Sequence, residues 1–460
     1  MLKVPDERDQ MLVAKVYKAQ QQHVFAFWEE LDEAQRRDLL DQLAGFDFQQ
    51  ISTLAELVHA EPKPAAELSA LPTERPDAAR RAELEALGWE ALREGKVACL
   101  VVAGGQGTRL GWVGPKGTYP IGPVTGKSLF QLFAEQLKAT GDRAGKPLPF
   151  YVLTSRLNRE ATERAFSEAD FFGLMPEQVR FLTQSDLPNT DPEGKLLMAT
   201  KSEVAASPNG HGGTFSALVD SGALDALTGA GVEHLFYFQV DNPLCRVADP
   251  VFLGAHIAGQ AEASTKVVRK EDPSEKIGLV LLKDGNAGVV EYSEMSAEQQ
   301  ELRDPDGQLT YRGGNTAIHV FSLAFLQRLA EGSFKLHYHL ARKKVPHVDA
   351  QGVHVEPTEP NGCKYETFIF EMLGEAETHV ALEVAREDEF EPLKNARGPY
   401  SPETVKAALS NQAQRWLQAA GAQVEAERYE VSPLTALDAQ ELAQKLDQLD
   451  LTVKDGGLAV

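Results

Sequence analysis

Arg109 and Lys116 stand a few residues beyond a run of small and flexible ones, Ala103, Gly104, Gly105 and Gly107, which follows the apolar stretch Val97 to Val102. Glycines let backbone N–H groups approach an anion closely, and a Gly/x alternation can point several of them at one phosphate. Cations just downstream neutralise charge that the backbone leaves over. Together these residues can hold the phosphates of a nucleotide at the end of a strand.

Two widespread phosphate loops are nearly present and both fail. The dinucleotide fingerprint needs G-x-G-x-x-G opening a helix; Gly105 and Gly107 fit, but Leu110 stands at the third position and Gly111 comes one residue late. The P-loop needs four residues between its first glycine and Gly-Lys-Ser/Thr, and Gly122 lies too close to Gly126-Lys127-Ser128. A dehydrogenase and a P-loop ATPase are therefore disfavoured. The pattern that fits is A-G-G-x-G-T-R-L followed by Pro115-Lys116, which nucleotidyltransferases share.

Other polar groups sit in settings suited to a ligand. Ser207 to Phe215 contains Gly210-His211-Gly212-Gly213, either a surface turn or a loop lying against a flat ring, and Gln184 ends the strand-like Phe181-Leu182-Thr183 with an amide able to pair with a base edge. Phe236 to Asn242 is an apolar strand ending in Asp241, a helix cap or turn residue on composition alone. Beside a phosphate loop it is what a magnesium site needs, one hard oxygen ligand held rigidly. Glu291 and Glu294 close another apolar run and could take sugar hydroxyls, while Asn315 offers an amide beside a flexible loop, Gly313-Gly314. His337, His339 and His347 lack a third metal-ligand pattern. Lys394 emerges from the acidic run Arg386 to Glu391, and is either a surface ion pair or a phosphate-binding lysine on a loop.

The elements that must position these groups alternate. Val97 to Val102, Phe150 to Thr154, Val179 to Thr183, His234 to Val240 and Lys266 to Val268 read as strands; Leu129 to Thr140 and Arg159 to Ala169 read as helices. That texture predicts a mostly parallel sheet covered on both faces, with ligands outside the carboxyl ends of its strands. Before it, the chain to about Val58 reads as helical: Val24, Phe27, Trp28 and Leu31 form one apolar stripe, and Asp32 caps a second helix through Leu43. Pro62, Pro64, Pro72 and Pro76 mark an irregular connection to a helix over Ala78 to Arg93. After about Asn395 the strands thin out, and Pro402 to Ala420 is a helix whose Gln412, Arg415 and Trp416 share a face with Leu409. The expected division is 1–95, 96–395 and 396–460.

A chain of 460 residues can bury a large core, and no stretch is long and apolar enough for a bilayer. Its start lacks the basic and apolar regions of a secretion signal. Cys99, Cys245 and Cys363 are far apart, which argues for thiols in a reducing cytoplasm rather than disulfides or a zinc cluster. A net charge of −22 speaks against nucleic acid or an anionic membrane as partner.

Taken together, AGGQGTRLG…PKG, TSRLNREATERAF, FLTQ, GHGG, QVDNPLCRVADP, VVEYSE, GGNTAIHVF, PNGCKYETFIFE and REDEFEPLKNA closely resemble the eukaryotic-type UDP-N-acetylglucosamine pyrophosphorylases within the UDP-sugar pyrophosphorylase family. The resemblance also takes in QQHVFAFWEELDEAQRRDLLDQL and YEVSPL. It implies an α/β fold, Rossmann-like and of the glycosyltransferase-A kind: a central mixed sheet with helices on both faces, an N-terminal helical segment and a small C-terminal domain. The implied reaction joins UTP and a sugar 1-phosphate into a UDP-sugar and pyrophosphate with magnesium as cofactor. By resemblance Val102, Ala103, Gly104 and Gly105 would hold the nucleotide, Gln184 and Gly210 would read the uracil, and Arg109 and Lys116 would bind the departing β and γ phosphates. Lys364 would take the phosphate nearer the nucleoside, Asp241 the magnesium and Lys394 the sugar phosphate. His211, Glu291, Tyr292 and Asn315 would line the sugar site.

One residue departs from that branch. N-acetylglucosamine enzymes typically carry Asn where this chain has His211, and UDP-glucose and broad-specificity enzymes carry Gly-His-Gly-Asp, so Gly-His-Gly-Gly is a hybrid. N-acetylglucosamine 1-phosphate is the expected substrate, with glucose or a mixed set as the alternative. A catalytically idle nucleotide-sugar-binding protein is the non-enzyme alternative, opposed by the full set of cations and Asp241.

Overall fold

Strand β3, Val97–Val102, is buried at every residue from Val97 to Val101, as only a strand covered on both faces can be. It lies inside the main sheet of the computed structural model, which describes residues 1–48, 51, 54, 66–332 and 334–460. That sheet has 11 strands among the described residues: β1 Leu68–Ala70, β2 Thr73–Glu74, β3, β4 Phe150–Thr154, β5 Val179–Thr183, β6 His234–Gln239, β7 Ala263–Arg269, β8 Leu279–Lys283, β9 Asn286–Val290, β10 Gly313–Ser322 and β11 His379–Val384. Its main path runs β2-β11-β7-β10-β6-β3-β4-β5.

The strands β6, β3, β4 and β5 are parallel, with Gln239 opposite Val102, Val102 opposite Leu153 and Thr154 opposite Thr183. Their carboxyl ends thus lie along one edge. Between β6 and β7 sits β10, antiparallel to both. A mostly parallel sheet is therefore corrected to a mixed one, the form the resemblance implied. The reason is local: Gly313-Gly314-Asn315 looked like a flexible loop, but it starts a ten-residue strand whose kink is a bulge at Ala317, with φ +57°.

The chain forms two compact units. The smaller comprises Met1–Ala65, Gln184–Gly213 and Lys335–Ile369; the larger comprises Ala66–Thr183, Thr214–Phe334 and Phe370–Val460. In the larger, helices α3 Ala78–Glu94 and α6 Pro250–Ala258 approach until a Cβ on Gly88 would stand 1.9 Å from the Pro250 oxygen, and one on Gly254 1.8 Å from that of Leu84. Only glycine fits either place. Helices α4 Leu129–Ala144 and α5 Arg159–Glu168 begin where the sequence predicted, and α7 Pro402–Ala419 turns Gln412 and Arg415 together onto Asp388.

In the smaller unit, α1 is Glu7–Lys18, and Asp32 caps α2, Glu33–Ala44, in a reciprocal box with Gln35. The apolar stripe from Val24 to Leu31 does bury Val24, Trp28 and Leu31, but as two 3-10 turns, Gln22–Phe25 and Trp28–Glu30, rather than one helix. The expected end of that segment near Val58, with Pro62 and Pro64, lies outside the described residues. Pro72 and Pro76 flank β2, an edge strand in what read as an irregular connection.

Candidate active site

The loop after β3 has its carbonyls taken from below. Asn158 Nδ2 donates to the carbonyls of Ala103 at 2.8 Å and Gly105 at 3.3 Å, and Ser155 Oγ donates to that of Gly104 at 2.9 Å. Asn158 Oδ1 accepts from the Ser155 amide and hydroxyl, which closes the bracket. With the carbonyls fixed on one side, the amides of Gly104 and Gly105 are left without a backbone partner among the described residues. A Cβ at Gly105 would meet nothing within 4 Å, so packing does not demand glycine there, whereas one at Gly107 would strike Trp112 at 2.7 Å. Open space above spare amides suits a phosphate.

Arg109 is exposed on the 3-10 turn Thr108–Leu110, with no carboxylate within ion-pair distance among the described residues. Lys116 opens the next turn, Lys116–Thr118, and its Nζ lies 3.7 Å from Asp241 Oδ2, both side chains being largely buried. Asp241 follows β6, whose neighbouring Val240 amide bonds the Val102 carbonyl. The Leu393 amide donates to the Asp241 carbonyl at 2.7 Å, Asn242 Nδ2 to the Glu389 carbonyl at 2.7 Å, and the Glu391 amide to Asn242 Oδ1 at 3.1 Å. Lys394 is thereby presented beside the Asp241 strand end.

The acidic run before Lys394 is occupied elsewhere. Asp388 pairs with Arg415, and Glu389 is buried against Lys266, whose Nζ also meets Asp249 at 2.6 Å. Burial pushes Glu389 above its usual range despite Lys266; burial also pushes Asp249 up, but Lys266 and Arg246 outweigh it and hold it low. A surface ion pair for Lys394 is not found: no carboxylate lies within 4 Å of it among the described residues.

Glu291 follows β9 and caps the turn Tyr292–Glu294. Asn315 on β10 sits on the same feature, Gly278: its amide donates to the Gly278 carbonyl at 2.8 Å, and Glu291 Oε1 would be 3.1 Å from a Cβ there. Asn315 Oδ1 accepts from Ala317 N and braces the bulge. Lys276 Nζ lies 6.0 Å from the Tyr292 ring centroid.

Within the smaller unit the predicted residues also converge. Gln184 is buried, and its Oε1 makes no hydrogen bond among the described residues. Such an orphan is costly unless a ligand meets it. The loop carrying Gly210 and His211 is stitched to the end of the strand Gly362–Glu366: Thr367 N donates to the Asn209 carbonyl at 2.8 Å and Gly212 N to the Thr367 carbonyl at 2.9 Å. A Cβ at Gly212 would stand 2.4 Å from Thr367 Oγ1, and Gly210 has φ +78°. Close packing at Gly212 and the left-handed φ of Gly210 thus require glycine at both positions. His211 stacks on Phe368 at 5.2 Å, and its Nδ1 accepts from Ile369 N at 3.1 Å, so the neutral ring keeps its proton on Nε2 as a donor. Lys364 pairs with Glu366 at 2.6 Å.

Sequence reasoning missed Asn158 and Ser155 beneath the glycine loop, and the Lys266–Asp249–Glu389 group. The first had a signal, polar residues at the end of an apolar strand; the second had only a lysine inside an apolar run. For a metal, the described residues contain no group of three or more His, Cys, Asp or Glu able to hold one. A single rigid carboxylate, Asp241, is nevertheless what magnesium takes when phosphate oxygens and water supply the rest, so the residues fit.

The family described as UTP–glucose-1-phosphate uridylyltransferase matches this chain over residues 57–452. Human UDP-N-acetylhexosamine pyrophosphorylase-like protein 1 is 40% identical over 439 residues, 90% of this chain and 86% of the relative. The UDP-N-acetylglucosamine pyrophosphorylase of Saccharomyces cerevisiae is 41% identical over 346 residues, 73% of this chain and 72% of the relative. Among solved structures, the uridine diphosphate N-acetylglucosamine pyrophosphorylase of Trypanosoma brucei, in complex with an inhibitor, aligns at a TM-score of 0.85 and 30% identity, covering 100% of this chain and 99% of that one.

Proposed function

This chain belongs to the UTP–glucose-1-phosphate uridylyltransferase family, and from that premise we propose that it joins UTP to N-acetylglucosamine 1-phosphate, releasing pyrophosphate. It is a nucleotidyltransferase of the UDP-sugar pyrophosphorylase kind. The observation that carries the mechanism is the pair of Asp241, just past β6, with Lys116 on the loop after β3, together with the cations Arg109 and Lys394, which have no ion pair among the described residues.

An oxygen of the sugar phosphate is already an anion at neutral pH, so the reaction needs no general base. It attacks the α phosphorus of UTP; a new P–O bond forms, the α–β bridging bond breaks, and its electrons leave on pyrophosphate. The difficulty is bringing two polyanions into line, which fixed cations solve by positioning and charge neutralisation. In our assignment Val102 to Gly105 hold the nucleotide, Arg109 and Lys116 neutralise the departing β and γ phosphates, Lys364 takes the α phosphate and Lys394 the sugar phosphate. Gln184 and Gly210 read the uracil, and His211, Glu291, Tyr292 and Asn315 line the sugar. Asp241 would hold magnesium, which when bound supplies further positive charge to the phosphates.

UTP and the sugar 1-phosphate are the proposed substrates, and the reducing cytoplasm the proposed location, supported by three buried unpaired thiols, Cys99, Cys245 and Cys363. The functional division proposed for the chain is 1–95, 96–395 and 396–460. A second reading, glucose 1-phosphate or a mixed set, is favoured by His211, whose Nε2–H donor differs in reach from an asparagine amide. A coupled pyrophosphate-release assay with UTP, magnesium and a panel of sugar 1-phosphates tests all of this. Turnover confined to N-acetylglucosamine 1-phosphate is expected; turnover with glucose 1-phosphate moves the chain to the second reading, and silence with every sugar overturns the catalytic one.

A further inference from the structure

Of the three lysines assigned to phosphates, two have a carboxylate beside them: Lys116 has Asp241 at 3.7 Å and Lys364 has Glu366 at 2.6 Å. Lys394 has instead the face of Tyr400, whose ring centroid lies 5.9 Å from its Nζ. The same residue holds the lysine's backbone. The Tyr400 carbonyl accepts from Lys394 N at 2.8 Å and from Asn395 N at 3.0 Å, while Asn395 Nδ2 donates to the Pro399 carbonyl at 2.8 Å. To do this Tyr400 takes φ +60°, in the left-handed region that a bulky L-residue enters only at a cost. Ser401, next in the chain, caps α7, so the strained residue is anchored to a helix.

We infer that Tyr400 is a positioning residue for Lys394, orienting its ammonium without neutralising it. A carboxylate partner would compete with the incoming phosphate; an aromatic face attracts the cation through its quadrupole and leaves the whole charge for the ligand. The strained turn sets where the stem leaves the backbone, and the ring sets where the ammonium ends. This rests on the assignment of Lys394 to the sugar phosphate.

The test is steady-state pyrophosphate release with UTP, magnesium and, in parallel, N-acetylglucosamine 1-phosphate and glucose 1-phosphate, on Tyr400→Gly, Tyr400→Phe and Lys394→Met, each with its melting temperature. Glycine adopts φ +60° without strain, so Tyr400→Gly removes the ring and keeps the turn. We expect it to raise KM for the sugar 1-phosphate about fivefold and leave KM for UTP unchanged, whereas Tyr400→Phe, which keeps the ring, keeps the sugar 1-phosphate KM of the unmodified chain. An unchanged sugar 1-phosphate KM in Tyr400→Gly, or equal rises for both substrates, overturns the inference. Normal turnover by Lys394→Met overturns the assignment of Lys394 beneath it; loss of turnover there with a wild-type Tyr400→Gly overturns the positioning role alone.

Discussion

The backbone amide of Leu393 donates to the carbonyl oxygen of Asp241 across 2.7 Å, so two points far apart in the chain are locked main chain to main chain. The contact sets a carboxylate beside one strand end and delivers Lys394 from the other partner. Asn242 adds two bonds to the same segment, through Glu389 and Glu391.

Because Lys394 and Arg109 are exposed and have no ion pair among the described residues, removing either side chain should leave the fold alone and strike only the reaction. Lys394→Ala and Arg109→Ala are each expected to lower kcat/KM by roughly 100-fold or more, the scale of losing one charge-stabilising group. Thermal melts should shift by the small amount typical of surface changes, about 0.5 kcal/mol or less. Near-normal rates in either variant would refute the mechanism.

Asp241→Asn separates the metal role from the structural one. The ion pair it breaks is long, 3.7 Å, and asparagine keeps the same shape, so stability should change by only about 1 kcal/mol or less. The magnesium concentration giving half-maximal rate should rise at least tenfold, and chelation with EDTA should abolish turnover of the unmodified chain. An unaltered magnesium titration in Asp241→Asn would remove Asp241 from the metal site.

Lys266→Met leaves two buried carboxylates without their shared ammonium. Breaking one partner of a buried charge group costs about 3–5 kcal/mol. Urea denaturation should show a loss of that size, and adding Asp249→Asn with Glu389→Gln should recover much of it. No loss in the single variant would show that the group is dispensable.

Acid should destabilise the larger unit through its histidines. His256, buried at the end of α6, is pushed down to about 3 by burial, with His234 and His379 adding repulsion; His379 is pushed down to about 4 by burial, and His234 lies low for the same reason, with Glu233 opposing and Lys96 assisting. Their folded values lie below the roughly 6.5 of an unfolded histidine, so unfolding takes up protons as pH falls. The contribution is complete above about pH 6.5 and declines as pH falls toward 4 and 3. By pH 5 the loss amounts to roughly 2 kcal/mol for His256 alone. Melting temperatures from pH 7.5 down to 4.5 measure it, and His256→Gln should flatten the decline.

Much of the larger unit's architecture is legible because central strands such as β3 and β4 are buried on both faces and so read as apolar runs; β3, β4 and the half-exposed β5 have the predicted bounds. Strand β10 was not legible, since its two leading glycines and the bulge at Ala317 erase the alternation that marks a strand. The stripe from Val24 to Leu31 has helical spacing, but a spacing of three and four is equally met by successive 3-10 turns. At the site, the residue types of Arg109, Lys116, Asp241 and Lys394 suggest phosphate and metal chemistry in advance. What no spacing could disclose is which residues hold them. Asn158, Glu389 and Tyr400 act through backbone carbonyls and long-range partners, and those arise only once the chain has closed.

The division of each unit into three stretches of chain has a consequence for synthesis. The ribosome makes both units in alternation: the smaller one is incomplete until Ile369 has been made, and the larger still lacks β11 and the Leu393 clip at that point. The smaller has all its residues once Ile369 is made, the larger only after Phe370–Val460 follows, and no single cut yields an intact half. Truncations placed anywhere before Lys394 should therefore give insoluble chains rather than a working fragment, and chaperone demand should persist until Lys394 has been made.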